Sequence, residues 1–185
     1  LKDLTEGKEG KLIWQFAVPM LLGNVFQQLY NVVDSWVVGN YLGKEALSAV
    51  GASFPLIFLL ISLVIGIAMG STIIISQYFG AKDYDKVKVS IDTLYIIMFF
   101  SSLVVTAIGL IFSRQIFELI KLPPEVIPDA IVYFNIFMSG SIFMFGFHGT
   151  SSILRGLGDS KTPLYFMIIS TIVNIILDLL FVVQF

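Results

Sequence analysis

The sequence predicts an all-α polytopic membrane protein with five transmembrane helices. Three observations carry that reading. Of 185 residues, 57% are hydrophobic and 13% charged, against about 25% charged in soluble domains. The mean hydropathy is +0.91. The apolar residues, 17 Phe among them, are gathered in long uncharged runs rather than spread with a core-facing period. The same composition excludes other classes. A net charge of −2 with no basic block cannot neutralise a row of phosphates, so no nucleic-acid partner is expected. The absence of cysteine excludes a disulfide scaffold, a thiolate metal site and a cysteine nucleophile.

Uncharged stretches run over 12–33, 46–81, 93–113, 130–154 and 162–177. A helix needs about 20 apolar residues to cross the hydrocarbon core, so each stretch supplies one span. The first is expected over 12–38, after a polar segment at 1–11; its uncharged run exceeds a signal-peptide core and no small-residue cleavage site follows, so it stays in the membrane. The second stretch is too long for one straight helix. It reads as an interfacial entry and then a span over 53–79 that opens near Pro55, since proline suits a first helical turn. Gly66 and Gly70 form a G-x-x-x-G in this span, a pattern of close helix packing. A mixed-charge segment at 84–88 reads as a solvated loop, and the next spans are expected over 91–113 and 130–154. The fifth, 163–185, opens at Pro163 and is interrupted by Asp178.

Orientation follows from Lys and Arg. The N-terminal segment and the second and fourth loops hold eight of them, the alternate loops three, which puts the N-terminus in the cytoplasm. Five spans, a chain that stops at a helix and no initiating Met are expected to be part of a larger bundle.

Asp34 and Asp178 are the only carboxylates lodged within spans with apolar sequence on both sides. A charge at the bilayer centre costs at least about 2.5–3.5 kcal/mol, so it is tied to a cavity, a partner or a proton. Asn24, Gln27, Asn31 and Asp34 recur at helical spacing, with Tyr30 one turn before Asp34, so one face of the first helix is polar. Thr171, Asn174 and Asp178 repeat the pattern in the fifth. Asp34 lies as far beyond Pro19 as Asp178 lies beyond Pro163, roughly 22 Å, which sets the two acids level if the prolines mark equal depths. Carboxylate and amide oxygens suit Na⁺ or a proton. The amides also suit plain hydrogen bonds inside the bundle. Pro19 either bends the first helix by removing a backbone hydrogen bond or lies in its first turn. His148 reads as a hydrogen-bonded residue near a helix end, with a proton relay as the alternative.

The segment 154–163 packs two glycines, three charges and Pro163 into a tight connection. Gly156-Leu157-Gly158-Asp159 has the G-x-G-D order of intramembrane aspartyl proteases, but Asp159 stands between Arg155 and Lys161 in a polar loop, so no enzyme is expected.

Several motifs in order carry a resemblance. They are Pro19 with Gly23-Asn24, then Gln28-Leu29-Tyr30-Asn31 leading to Asp34, Gly39, Leu42-Gly43 and Ala49-Val50-Gly51 with Pro55. Gln77-Tyr78-Phe79-Gly80-Ala81-Lys82, the Arg155–Asp159 loop with Pro163, and Asn174 with Asp178 follow. The chain resembles the first part of a multidrug and toxic compound extrusion (MATE) transporter. That implies the N-terminal lobe, here incomplete, of a twelve-helix, two-lobe exporter in the cell membrane. Such transporters exchange cationic, often aromatic compounds for H⁺ or Na⁺ and need no cofactor. It also implies a cation-coupling site at Asp34, Tyr30, Asn174 and Asp178 with Tyr133 and the neighbouring Asn31, Na⁺ being held at Asp34, Asn174 and Asp178. Ser151 stands where some members carry another polar ligand. The implied partners are drug-like cations, the bilayer and the remaining helices. The alternatives are a lipid-linked saccharide flippase of the same wider superfamily, whose basic lining is missing from these spans, and a non-transporting assembly subunit.

Overall fold

The computed structural model describes residues 7–41 and 43–183, which form six α-helices. They are α1 (Glu9–Tyr41), α2 (Gly43–Gly80), α3 (Tyr84–Leu119), α4 (Ile127–Ser139), α5 (Ser141–Gly156) and α6 (Lys161–Val183). The start of the expected 1–11 segment, Leu42 of the motif series and the end of the expected fifth span lie outside the described residues.

α2, α3 and α6 are each long and apolar enough to cross a membrane, and α4 with α5 makes a fourth such unit, bent by 47°. α1, 33 residues long, falls short of the same standard of apolarity, because Asn24, Gln27, Gln28, Asn31 and Asp34 lie along it.

The helices depart from the expected bounds at three places. α2 does not open near Pro55 but at Gly43, and runs unbroken for 38 residues. The segment before Pro55 is rich in helix formers, and Pro55 stands on the exposed side. Residues 84–88 are not a loop but the first turn of α3. Asp83 caps that turn by accepting from the Lys86 N–H at 3.3 Å and pairs with the Lys86 ammonium at 2.7 Å. The fourth span is not one helix, for it breaks at Gly140 between Ser139 and Ser141. Glycine and serine together are a usual kink site, and in lipid the backbone groups freed there must be satisfied by protein. Thr106 of α3 does so: its Oγ1 donates to the Met138 carbonyl at 3.3 Å and lies 2.5 Å from Ser141 Oγ.

α2 to α5 pack around two apolar clusters, one on each side of this break. Val64, Ile75, Leu94, Met98, Phe145 and Ile153 build one. Ala49, Ile57, Phe117, Ala130, Phe134 and Met138 build the other, with the Phe117 and Phe134 rings edge to face at 5.7 Å. α1 and α6 pack mainly on each other and join the rest through α2 and α5. Most remaining apolar side chains point outward, as a lipid solvent permits.

Gly66 and Gly70 do not mediate close packing within this chain. A Cβ at either would meet nothing within 4 Å. The close approach of α2 comes at the same level but on its opposite side, against α5. There Ser152 Oγ donates to the Ala68 carbonyl and hydrogen-bonds Thr72 Oγ1, which in turn donates to the Ser152 carbonyl at 3.2 Å. Interhelical bonds of this kind average about 0.6 kcal/mol and reach about 1.7. Ser152→Ala is therefore expected to lower the stability of the full-length protein by about 1 kcal/mol in thermal unfolding in detergent. Ser76→Ala, at an exposed serine that bonds only its own helix through Ile73, should be near neutral.

Candidate functional site

α1 and α6 pack side by side, which brings Asp34 and Asp178 within electrostatic range of each other. A Cβ on Gly23 would lie 3.9 Å from Leu164 Cδ1, which sets their register. Counted from those positions, Asp34 and Asp178 lie at levels along their helices that differ by about 4.5 Å. The two carboxyl groups feel each other's charge, and the phenols of Tyr30 on α1 and Tyr133 on α4 lie within electrostatic range of both. All four side chains are half-buried.

Asn174, one turn before Asp178, belongs to the same face of α6. Asn174 Oδ1 and Asp178 Oδ2 are both buried and meet no hydrogen-bond donor among the described residues. A buried acceptor left without a donor costs about 1–3 kcal/mol. Oxygens in that state suit a hard monovalent cation or, on the carboxylate, a proton. The residues therefore fit Na⁺ or H⁺.

Other candidates are placed elsewhere. Asn31 donates to Gln28 Oε1 at 3.1 Å, along its own helix, rather than to either acid. Thr171 is buried on the stripe below Asn174. Ser151 is buried on α5, and it is the neighbouring Ser152 that bridges to α2. Pro19 lies well inside α1, which begins at Glu9, and not in its first turn. Asn24 and Gln27 face a cavity of about 340 Å³ between α1, α2, α5 and α6, together with Pro19, His148 and Arg155. His148 has no described hydrogen bond there; its ring stands edge-on to Phe147 at 5.7 Å and it feels the charge of Arg155.

Sequence reasoning missed two groups. Asn135 on α4 carries a third buried oxygen without a donor; its signal was that it is the one amide within 130–154. Arg155 was read only as a loop charge, although it lines the cavity.

Asp159 has a structural task. Its Oδ1 accepts the N–H groups of Lys161 and Thr162, each at 3.0 Å, and its Oδ2 accepts Thr162 Oγ1 at 2.6 Å, which caps the start of α6. Gly158, at φ +84°, makes the turn that precedes it. Partial burial pushes the carboxyl up, but the hydrogen bonds from Thr162 and Lys161 outweigh it, so Asp159 ionises below the usual Asp range. A depressed folded value adds stability above the unfolded value of about 3.9 and loses it as pH falls through the folded one. Asp159→Ala is thus expected to cost about 1 kcal/mol at neutral pH. The gap to wild type should close as unfolding is followed downward below about pH 4.

Comparison with known proteins agrees with this architecture. The MatE family description matches residues 19–180. The chain is 40% identical over 178 residues to the probable multidrug resistance protein YoeA of Bacillus subtilis (strain 168), covering 94% of this chain and 38% of that protein. To YpnP of the same organism, also a probable multidrug resistance protein, it is 33% identical over 183 residues, covering 99% and 41%. An outward-facing multidrug resistance MATE family transporter of the MOP superfamily superposes with a TM-score of 0.90 at 28% identity, covering 96% of this chain and 39% of its own. Fold and relatives together place the chain in a class of polytopic, all-helical membrane proteins. The chain belongs to the MatE family, and it spans about two fifths of the length of these relatives.

Proposed function

We propose that the complete protein is a multidrug efflux antiporter that exports cationic or aromatic compounds in exchange for H⁺ or Na⁺. Asp34 and Asp178 are its coupling groups, supported by Asn174, Tyr30 and Tyr133. The observation that carries this reading is the pair of facing intramembrane acids with donor-free buried oxygens on Asp178 and Asn174. The names of YoeA and YpnP support the substrate class.

Coupling requires each ligand to favour a different arrangement of the helices by its differential affinity. A proton or Na⁺ at the acid pair draws α1 and α6 together by removing the repulsion between the two carboxylates. That arrangement binds cationic drug less well, so the inward ion releases the outward substrate. Pro19, which has no N–H to add to the helical ladder, is the point at which α1 yields. α1 crosses the membrane with its polar face turned to α6 and the cavity, and the N-terminus lies in the cytoplasm of a cell whose plasma membrane holds the protein.

The test is ethidium efflux by the full-length protein in proteoliposomes under H⁺ and Na⁺ gradients imposed separately. Efflux driven by one of them is expected. Transport indifferent to both gradients would overturn the antiport reading.

A further inference from the structure

We infer that the cavity beside Arg155 is a binding site for a phosphate-bearing anion, separate from the acid pair. Arg155 stands half-buried in the last turn of α5 and lines the cavity. Its guanidinium makes no ion pair or hydrogen bond among the described residues. Five N–H donors and a fixed positive charge thus border the cavity, partly shielded from water and with no acceptor among the described residues, a condition that a bound anion relieves.

Nothing in the wall supplies the pair. The lining holds no carboxylate. The nearest acid in sequence, Asp159, has both oxygens committed to the start of α6. What the lining does hold is His148, two turns before Arg155 on the same face of α5, whose neutral ring offers one N–H donor. Neutral donors surround them: Asn24 and Gln27 of α1 and Ser160 before α6.

The volume, about 340 Å³, is that of a small-molecule pocket. Arginine meets phosphate oxygens in a bidentate fork, the geometry in which a guanidinium binds best. This chemistry has two sources, the headgroup of an anionic phospholipid or a free phosphate-bearing solute, and the cavity recognises what they share. The inference does not rest on the coupling reading, since Asp34 and Asp178 lie farther along the same helices.

Phenylglyoxal, which modifies arginine side chains, tests it in the full-length wild-type protein. Arg114 is an internal control, being exposed and paired with Glu118 at 2.8 Å. Modification of both is followed by peptide mass spectrometry in phosphatidylcholine nanodiscs, in the same discs with inorganic phosphate, and in discs containing phosphatidylglycerol without phosphate. Arg155 is expected to react severalfold more slowly, relative to Arg114, in at least one of the last two conditions. Protection by inorganic phosphate assigns a free anion, and protection by phosphatidylglycerol assigns a headgroup. Arg155→Gln should weaken binding of the protecting probe at least about tenfold. An Arg155 whose rate relative to Arg114 is the same in all three conditions, or a probe affinity unchanged in Arg155→Gln, overturns the inference.

Discussion

Asp34→Asn and Asp178→Asn, made singly in the full-length transporter, are each expected to abolish gradient-driven efflux, a fall of at least about tenfold, or 1.4 kcal/mol. The substitution keeps the volume and one oxygen of the side chain and removes only the charge and the site for a proton. Drug entry into the cavity need not change. What is lost is the differential affinity of the coupling ion for the two arrangements, and without it the ion cannot shift the equilibrium. Because the two acids feel one another's charge, they act as a unit. The double variant should be no worse than either single one, the non-additivity expected of groups that share a ligand. Asn174→Ser, which shortens a ligand without removing charge, should retain part of the activity. Efflux measured in proteoliposomes decides this, and unchanged transport in both single variants would sink the assignment.

Gly156→Ala is expected to give the largest loss of stability of any single methyl addition among the described glycines, about 1–3 kcal/mol. A Cβ there would lie 2.9 Å from Ile75 Cγ2, 3.0 Å from Ile75 Cβ and 3.2 Å from the Thr72 carbonyl. Neither Cβ nor a helical carbonyl can step aside, so α5 must lift from α2 and strain the Ser152 bridge. Gly109 is the instructive contrast. Its added Cβ would meet Met138 Sδ at 2.6 Å, a closer approach, yet the atom belongs to a flexible thioether that can change rotamer. Gly109→Ala should therefore cost less. Thermal unfolding of the two variants in detergent gives the comparison, and a smaller loss for Gly156→Ala than for Gly109→Ala would show that the α2–α5 contact is not as rigid as its geometry states.

The acid pair was legible in the sequence because its signal is local. A carboxylate inside an apolar run is conspicuous, and polar residues repeated at helical spacing before Asp34 and Asp178 state which face each helix turns away from lipid. Tyr133 entered only through family resemblance, since a single tyrosine in an apolar span has no distinguishing pattern. Asn31 shared the stripe but bonds Gln28 instead, because i and i+3 neighbours on a helix can satisfy each other without leaving it.

Length, apolar runs and the placement of charge determined by themselves that this is an all-helical membrane protein, that Asp34 and Asp178 stand out as carboxylates within apolar runs, and that residues 154–163 hold a tight connection. These follow from the cost of putting charge and open backbone into hydrocarbon, which acts on every residue wherever its neighbours lie. The tertiary structure alone decided the rest. It broke the fourth span at Gly140, where Thr106 of another helix meets the freed carbonyl. It left Gly66 and Gly70 open while pressing Gly156 onto Ile75. It turned Arg155 into a cavity between four helices. Each of these depends on an atom contributed by a residue distant in the chain, and the period of a single helix carries no record of what will stand opposite it.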